Sequence, residues 1–366
     1  MRALAFGAGA ALVGWALSSA VRAFVLPRSA QDRISRAVFV GVRWFFSLFL
    51  QGLPTYAQKD RVLALYAPVS LLALTPTLLL IIDLGYTAMY WAIGVDLSMA
   101  FLASGSSLLT LGVQPVSGFP GALLMFSEAA VGMALIAVLI GYLPTMYAAF
   151  SKRETAVTLL AVRAGEPASA IEMIIRYHRV HGLEKLGELW ATWEVWFAEL
   201  EESHTSLPAL NFFRSPQPEH SWVVAAGAVL DAAALAASTL DLPPDPRANL
   251  CIRAGFLALR HICDFFNIPY PRTPRPTDPI TLHRVEFEAA YEELARAGVP
   301  LKADRAQAWR DFAGWRVNYD LPLVALCSIT TAPWARWSAD RAPQYRRPPL
   351  FFSTRQLPGI RRYESS

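Results

Sequence analysis

The residues with most chemical content in this 366-residue chain lie inside or between apolar runs. Glu128 sits in the run from Phe119 to Phe150, which holds no other acid and no base. Burying a carboxyl in hydrocarbon is costly, so such an acid points first to function. It has two uses there: facing an ion path, or bracing neighbouring backbone from behind. The bland alternative is a protonated or interface-level glutamate. Upstream, a segment runs from Asp96 to Thr110-Leu111-Gly112-Val113-Gln114-Pro115. Backbone carbonyls held extended there are able to replace the hydration shell of a cation. Downstream of Glu128, Gly132 and Gly141 with Pro144 offer a bend point for gating, although glycine equally serves close helix packing.

Other chemistry is thinly represented. All six histidines, His178, His181, His204, His220, His261 and His283, follow residue 150. His178 and His181 share a helical face near Glu184, and His204 follows Glu201 and Glu202, but a solvated helix face explains both better than a metal site. Cys251, Cys263 and Cys327 are widely spaced and odd in number, as expected of reduced thiols. No Ser-His-Asp set, phosphate-binding glycine loop or zinc spacing stands out. The expectation is therefore no catalytic residue, no metal centre, no cofactor and no enzyme. A net charge of +4 gives no reason to expect nucleic acid.

The elements that must position these residues are membrane helices. Hydrophobic residues make up 54% of the chain and charged ones only 17%, well short of an ordinary soluble domain. Between Arg61 and Lys152 there is no Lys or Arg, and the only acids are Asp83, Asp96 and Glu128. Val62 to Ile93 and Phe119 to Phe150 each exceed the ~20 residues needed to cross hydrocarbon, and Ala3 to Ala20 adds a third span. A cleaved leader over residues 1–22, ending near Ser18-Ser19-Ala20, is the lesser reading of that third run. In Ala37 to Leu53, Arg43, Ser47 and Gln51 recur every four residues, opposite Trp44, Phe45, Leu48 and Phe49. That spacing predicts an amphipathic helix lying in the interface. A four-span arrangement ranks second.

Arg22, Arg28, Arg33, Arg36, Arg43, Lys59 and Arg61, with Lys152 and Arg153 after the last span, place residues 22–61 and the C-terminal part in the cytoplasm. Residues 62–150 then form a hairpin with its middle outward. Asp96 is an N-cap for a helix to about Ser107, ~18 Å long, which enters a bilayer without crossing it. Extended backbone after a half-helix is tolerated at that depth only in a protein interior or along a water path.

Span, short helix, Thr110-Leu111-Gly112, return and glycine-bearing span resemble the pore module of the potassium channel superfamily. Within it the chain is similar to bacterial channel-like proteins with a helical cytosolic C-terminal domain. The similar segments are Glu128 to Gly132, Gly141 to Pro144 with Phe150 to Glu154, Arg163 to Pro167, Glu199 to His204, Phe213 to Ser215 and Ser221-Trp222. The resemblance covers about residues 62–270. It implies a homotetramer, monovalent cations (K⁺ or Na⁺) as the conducted species, and an ion-conduction filter at Thr110, Leu111, Gly112, Val113 and Gln114. It also implies pore or gating roles for Glu128, Gly132, Gly141 and Pro144. The family pattern, however, continues as aromatic, glycine and aspartate where this chain has Val113, Gln114 and Pro115. A second glycine is used there because its backbone conformation resists a side chain. Two outcomes follow: a weakly selective cation pore, or a non-conducting scaffold with a blocked mouth.

The remaining chain reads as helical. Ala168 to Val180, Leu183 to Glu202, Ser221 to Ala237, Pro246 to Phe266 and Leu282 to Ala297 carry apolar residues at helical spacing. Pro269 to Pro279 is a proline-rich linker, and 333–366 a basic, proline-rich tail expected to hold little regular structure, with Arg336, Arg341, Arg346, Arg347, Arg355, Arg361 and Arg362 against Asp340 and Glu364. Three roles are open to it: contact with anionic lipid, wrapping of a neighbouring subunit through Trp334, Trp337, Phe351 and Phe352, or simple solvation. The expectation is an all-α, multi-pass membrane protein of a bacterial inner membrane, in contact with lipid. Its parts are an N-terminal span and interfacial helix (1–61), a pore module (62–150), a cytosolic helical domain (151–332) and the tail.

Overall fold

The computed structural model describes residues 1–26, 32–50 and 52–342. Arg28, Gln51 and residues 343–366, with Arg346, Arg347, Arg355, Arg361, Arg362, Phe351 and Phe352, lie outside the described residues. The expected tail is packed over its first ten residues: Trp337 is buried, and Arg336 and Arg341 pair with Glu293 and Glu286 of the helix Arg284–Arg296. The described chain is all-helical, and its only β pairing is an isolated bridge between Leu240 and Leu301. Three helical stretches are long and apolar enough to cross a membrane: Arg2–Phe24, Tyr56–Ala92 and Phe119–Ala164.

Two compact units divide the chain: residues 1–52 with 62–149, and residues 53–61 with 150 onward. The division departs from the expected one at its first boundary. Residues 1–52 are not a separate piece, because α1 (Arg2–Phe24) packs along α4 (Tyr66–Ala92). The reason is a pair of glycines. A Cβ on Gly9 would lie 2.4 Å from the Gly85 carbonyl, and one on Gly85 would lie 2.9 Å from the Gly9 carbonyl. Backbones that close need residues without side chains, and Val13, Ala16 and Ala20 continue the seam against Leu74, Leu78 and Ile82.

Helix α2 (Arg33–Leu50) starts four residues before the expected Ala37. Asp32 sets that start, accepting the Ser35 N–H at 2.8 Å and the Ser19 hydroxyl at 2.5 Å. Trp44, Phe45, Leu48 and Phe49 are exposed, as the spacing implied. Arg43 turns inward instead of to water, its guanidinium 5.1 Å over the Tyr66 ring. A weakly hydrated, planar cation on an aromatic face makes that burial tolerable. A short helix the sequence reading did not separate, α3 (Tyr56–Ala64), precedes α4.

Helix α5 (Leu97–Leu108) follows, and α6 runs unbroken from Phe119 to Ala164 despite Pro144. The second unit continues with α7 (Ala170–Arg179), α8 (Leu186–Ser206), α9 (Trp222–Ser238), α10 (Pro246–Phe265), α11 (Arg284–Arg296), α12 (Arg305–Arg316) and α13 (Asp320–Thr330). The last two are helices the apolar spacing did not reveal. Helix α9 is buried on nearly all sides, hence its Ala/Val/Leu-rich composition, with α7, α10, α12 and α13 packed around it. Its one charge, Asp231, meets Arg316, which also binds Asp320 at 2.9 Å. Tyr319 donates to Asp231 at 2.9 Å, and Thr281 donates twice to Asp320. Burial pushes the Asp231 carboxyl up, and the Arg316 guanidinium pulls it back.

Candidate functional site

Helix α5 is built as its sequence suggests at the start. Asp96 accepts the Ser98 N–H at 3.2 Å, and twelve residues give a helix of ~18 Å. Its end is more specific. The Leu111 N–H returns to the Ser106 carbonyl at 2.8 Å and the Thr110 N–H to the Ser107 carbonyl at 3.0 Å. Those two bonds define a Schellman terminus whose left-handed position is usually glycine. Here it is Thr110, at φ +55°, an uncommon conformation for a β-branched residue.

The expected extended run is therefore broken twice, at Thr110 and again at Gly112 with φ +69°. Ser106 folds the loop back: its hydroxyl oxygen accepts the N–H groups of Val113 at 2.9 Å and Gln114 at 3.2 Å. Leu111 and Val113 point away, 62% and 73% exposed. The return then tightens at Gly121, where a Cβ would lie 2.5 Å from the Val116 side chain.

Glu128 is fully buried and ties three helices together. Its carboxylate accepts from Tyr90 of α4 at 3.0 Å and from Ser104 of α5 at 2.5 Å. One turn further along α6, a Cβ on Gly132 would fall 2.1 Å from the Leu108 carbonyl, so α6 passes directly against the end of α5. Glu128 and Gly132 thus meet the back of α5, whereas Gly141 has nothing within 4 Å. At Pro144 the ladder lacks one N–H, and the Thr145 hydroxyl donates to the Gly141 carbonyl at 3.1 Å beside it. Ser104, Tyr90 and Ser106 were not singled out by the sequence reading. The Ser104-Gly105-Ser106-Ser107 cluster, polar residues on a short apolar helix, was the available signal.

The histidines do not gather. Among the described residues no group of three or more His, Cys, Asp or Glu is placed to hold a metal ion. His204 is buried beside Arg153, 3.2 Å from its guanidinium, rather than with Glu201 and Glu202 at the surface. Burial, and then the Arg153 charge, push its imidazole well below the usual value, so it is neutral at pH 7. Arg153 also donates to the carbonyls of Leu210 and Phe213 at 2.8 and 2.7 Å. Arg214 nearby donates to Asp60, to Tyr56 at 3.0 Å and to the Thr330 carbonyl at 2.6 Å. The short segment between Leu210 and Arg214 is therefore fastened both to α6 just after Phe150 and to α3.

Comparison of the chain with protein families, with characterised proteins and with solved structures gives no match.

Proposed function

We propose that the chain is a potassium-channel-like protein of a bacterial inner membrane, assembling as a tetramer around a cation path, with residues from about 150 onward in the cytoplasm. The observation that carries this reading is α5 with its return: a helix too short to cross hydrocarbon, followed by a loop that doubles back between two spanning-length helices. Such backbone is tolerated within a bilayer only in a protein interior or along water. The negative end of α5 and the loop carbonyls then favour a cation. Helix α6 supplies the second support. Ala130, Ala134, Ala137, Gly141, Thr145 and Ala148 form a stripe of small residues at intervals of three or four, all exposed in the single chain. One hairpin cannot enclose a path, and closure by rotation of identical copies places that stripe against its equivalents.

The rival reading is a non-conducting membrane scaffold derived from a channel. What favours it is the loop chemistry: the Ser106 hydroxyl holds the N–H groups of Val113 and Gln114, and Pro115 follows. A loop closed on itself in that way blocks its own mouth.

Cation flux into liposomes containing the purified protein separates the two, comparing K⁺ with Na⁺ and wild type with Gln114→Gly. Flux in the wild type supports the channel, and flux only in Gln114→Gly supports the blocked scaffold. A monomeric particle that passes no cation in either form refutes the pore altogether.

A further inference from the structure

We infer that Asp83, Ser104 and Glu128 form a site inside the membrane unit for one small monovalent cation, either a proton or an alkali-metal ion. This goes beyond the proposed pore and does not depend on conduction, because none of the three residues belongs to the loop Thr110 to Gln114.

The argument begins with hydrogen counting. The Ser104 Oγ lies 2.5 Å from Glu128 Oε1 and 3.0 Å from the Asp83 carbonyl oxygen. A hydroxyl has one hydrogen and can satisfy only one of those contacts. The second independent observation is Asp83 itself. Its residue is 6% exposed, and its Oδ1 has no hydrogen-bond partner among the described residues. That oxygen faces α5 at Gly105, 3.8 Å from where a Cβ would stand, one residue from Ser104. Two buried carboxyl groups, from α4 and α6, thus flank the Ser104–Gly105 stretch of α5, and Ser104 has a single hydroxyl hydrogen to give.

Charge points the same way. Glu128 is 0% exposed, and among the described residues its other donor is Tyr90. From Arg61 to Lys152 the chain has no basic residue. Among the groups packed here, α4 contributes Asp83, Tyr86 and Tyr90, α6 contributes Glu128, and α5 has no ionisable residue. The basic residues of α1, Arg2 and Arg22, are at its ends. Two buried carboxyl groups within electrostatic reach of each other, lacking a basic partner, require neutralisation by a bound positive species. A site of oxygen atoms with two carboxyl groups suits a proton or a hard monovalent ion, and lacks the ligand set of a transition metal.

The test uses the full-length protein in lipid nanodiscs. Melting is followed at fixed pH in N-methyl-D-glucamine, Na⁺ or K⁺, and across pH in N-methyl-D-glucamine alone, for wild type and Glu128→Gln. Stabilisation by Na⁺ or K⁺ in the wild type, lost in Glu128→Gln, identifies a metal-ion site. A response to pH alone, lost in Glu128→Gln together with an infrared band of a protonated carboxyl, identifies a proton site. Equal responses of wild type and variant to both salt and pH overturn the proposal. Should Glu128→Gln fail to fold, Ser104→Ala is read in the same way: loss of the response supports the site and its retention overturns it.

Discussion

Replacing Gly132 by alanine tests whether this glycine is a contact or a hinge. The new methyl would sit 2.1 Å from the Leu108 carbonyl oxygen, about 1.3 Å short of the 3.4 Å at which ordinary contact begins. The obstacle is backbone at the end of α5, not the tip of a flexible side chain, so one helix must move. Ser104 lies one turn back from Leu108, and its 2.5 Å bond to Glu128 opens with that movement. Overpacking of this kind costs about 1–3 kcal/mol. The lost hydrogen bond adds about 1 kcal/mol. Gly141→Ala is the comparison: within its own chain nothing stands within 4 Å of its Cβ position, and a methyl there is no larger than those of the alanines in the same stripe. Its substitution should gain a few tenths to about 1 kcal/mol from helix propensity. Thermal melts of the purified full-length variants, scored by retention of a monodisperse peak, check both. Gly132→Ala should fall several degrees below wild type, and Gly141→Ala should match or exceed it. If Gly132→Ala melts with the wild type while Gly141→Ala is the harmful change, the packing argument is refuted and a hinge becomes the better account.

Two further outcomes concern the second unit. His204 is held neutral below its ordinary value, so the unfolded chain binds more protons than the folded one in acid. Its stabilising contribution is complete above about pH 6.5 and should be lost at up to ~1.4 kcal/mol per pH unit below that, a slope His204→Gln should flatten in pH-dependent melts. A wild-type curve flat between neutral and acid, relative to His204→Gln, would show the ring charges freely in the fold. Arg316→Ala leaves Asp231 and Asp320 buried without their cation, and should cost about 3–5 kcal/mol in chemical denaturation of the full chain. A loss below 1 kcal/mol would mean that the carboxyl groups are already neutral without it.

Local signals in the sequence were legible where one residue decides one feature. Asp96 caps α5 because an aspartate before an apolar helix has few other uses, and helix length follows from where Gly112 and Pro115 interrupt. For Glu128, burial was one of two positions that a lone acid in a long apolar run leaves open, the other being the interface. Its partners were not legible. Tyr90 and Ser104 reach it only because α4, α5 and α6 converge, and no periodicity within one helix encodes that meeting. The Gly9–Gly85 seam escaped notice for the same reason, as each glycine alone is ordinary in a membrane helix. Helices α12 and α13 were hidden differently. In α12, Arg316 occupies a fully buried position that an apolar template rejects, and its pairing with Asp231 explains the mismatch. His204 misled because the acids beside it in sequence face elsewhere, and the residue that governs it, Arg153, is far along the chain.

The seam between α1 and α4 also has a consequence in time. Gly85 follows Gly9 by 76 positions, and ribosomes add roughly 5–20 residues per second, so about 4–15 s separate the two during synthesis. Through that interval α1 presents Gly9, Val13 and Ala16 to whatever surrounds it, with α4 not yet made. Every nascent chain therefore passes through a stage in which its first helix carries an open small-residue groove, and chains made side by side can find each other through α1 before any of them has an α4.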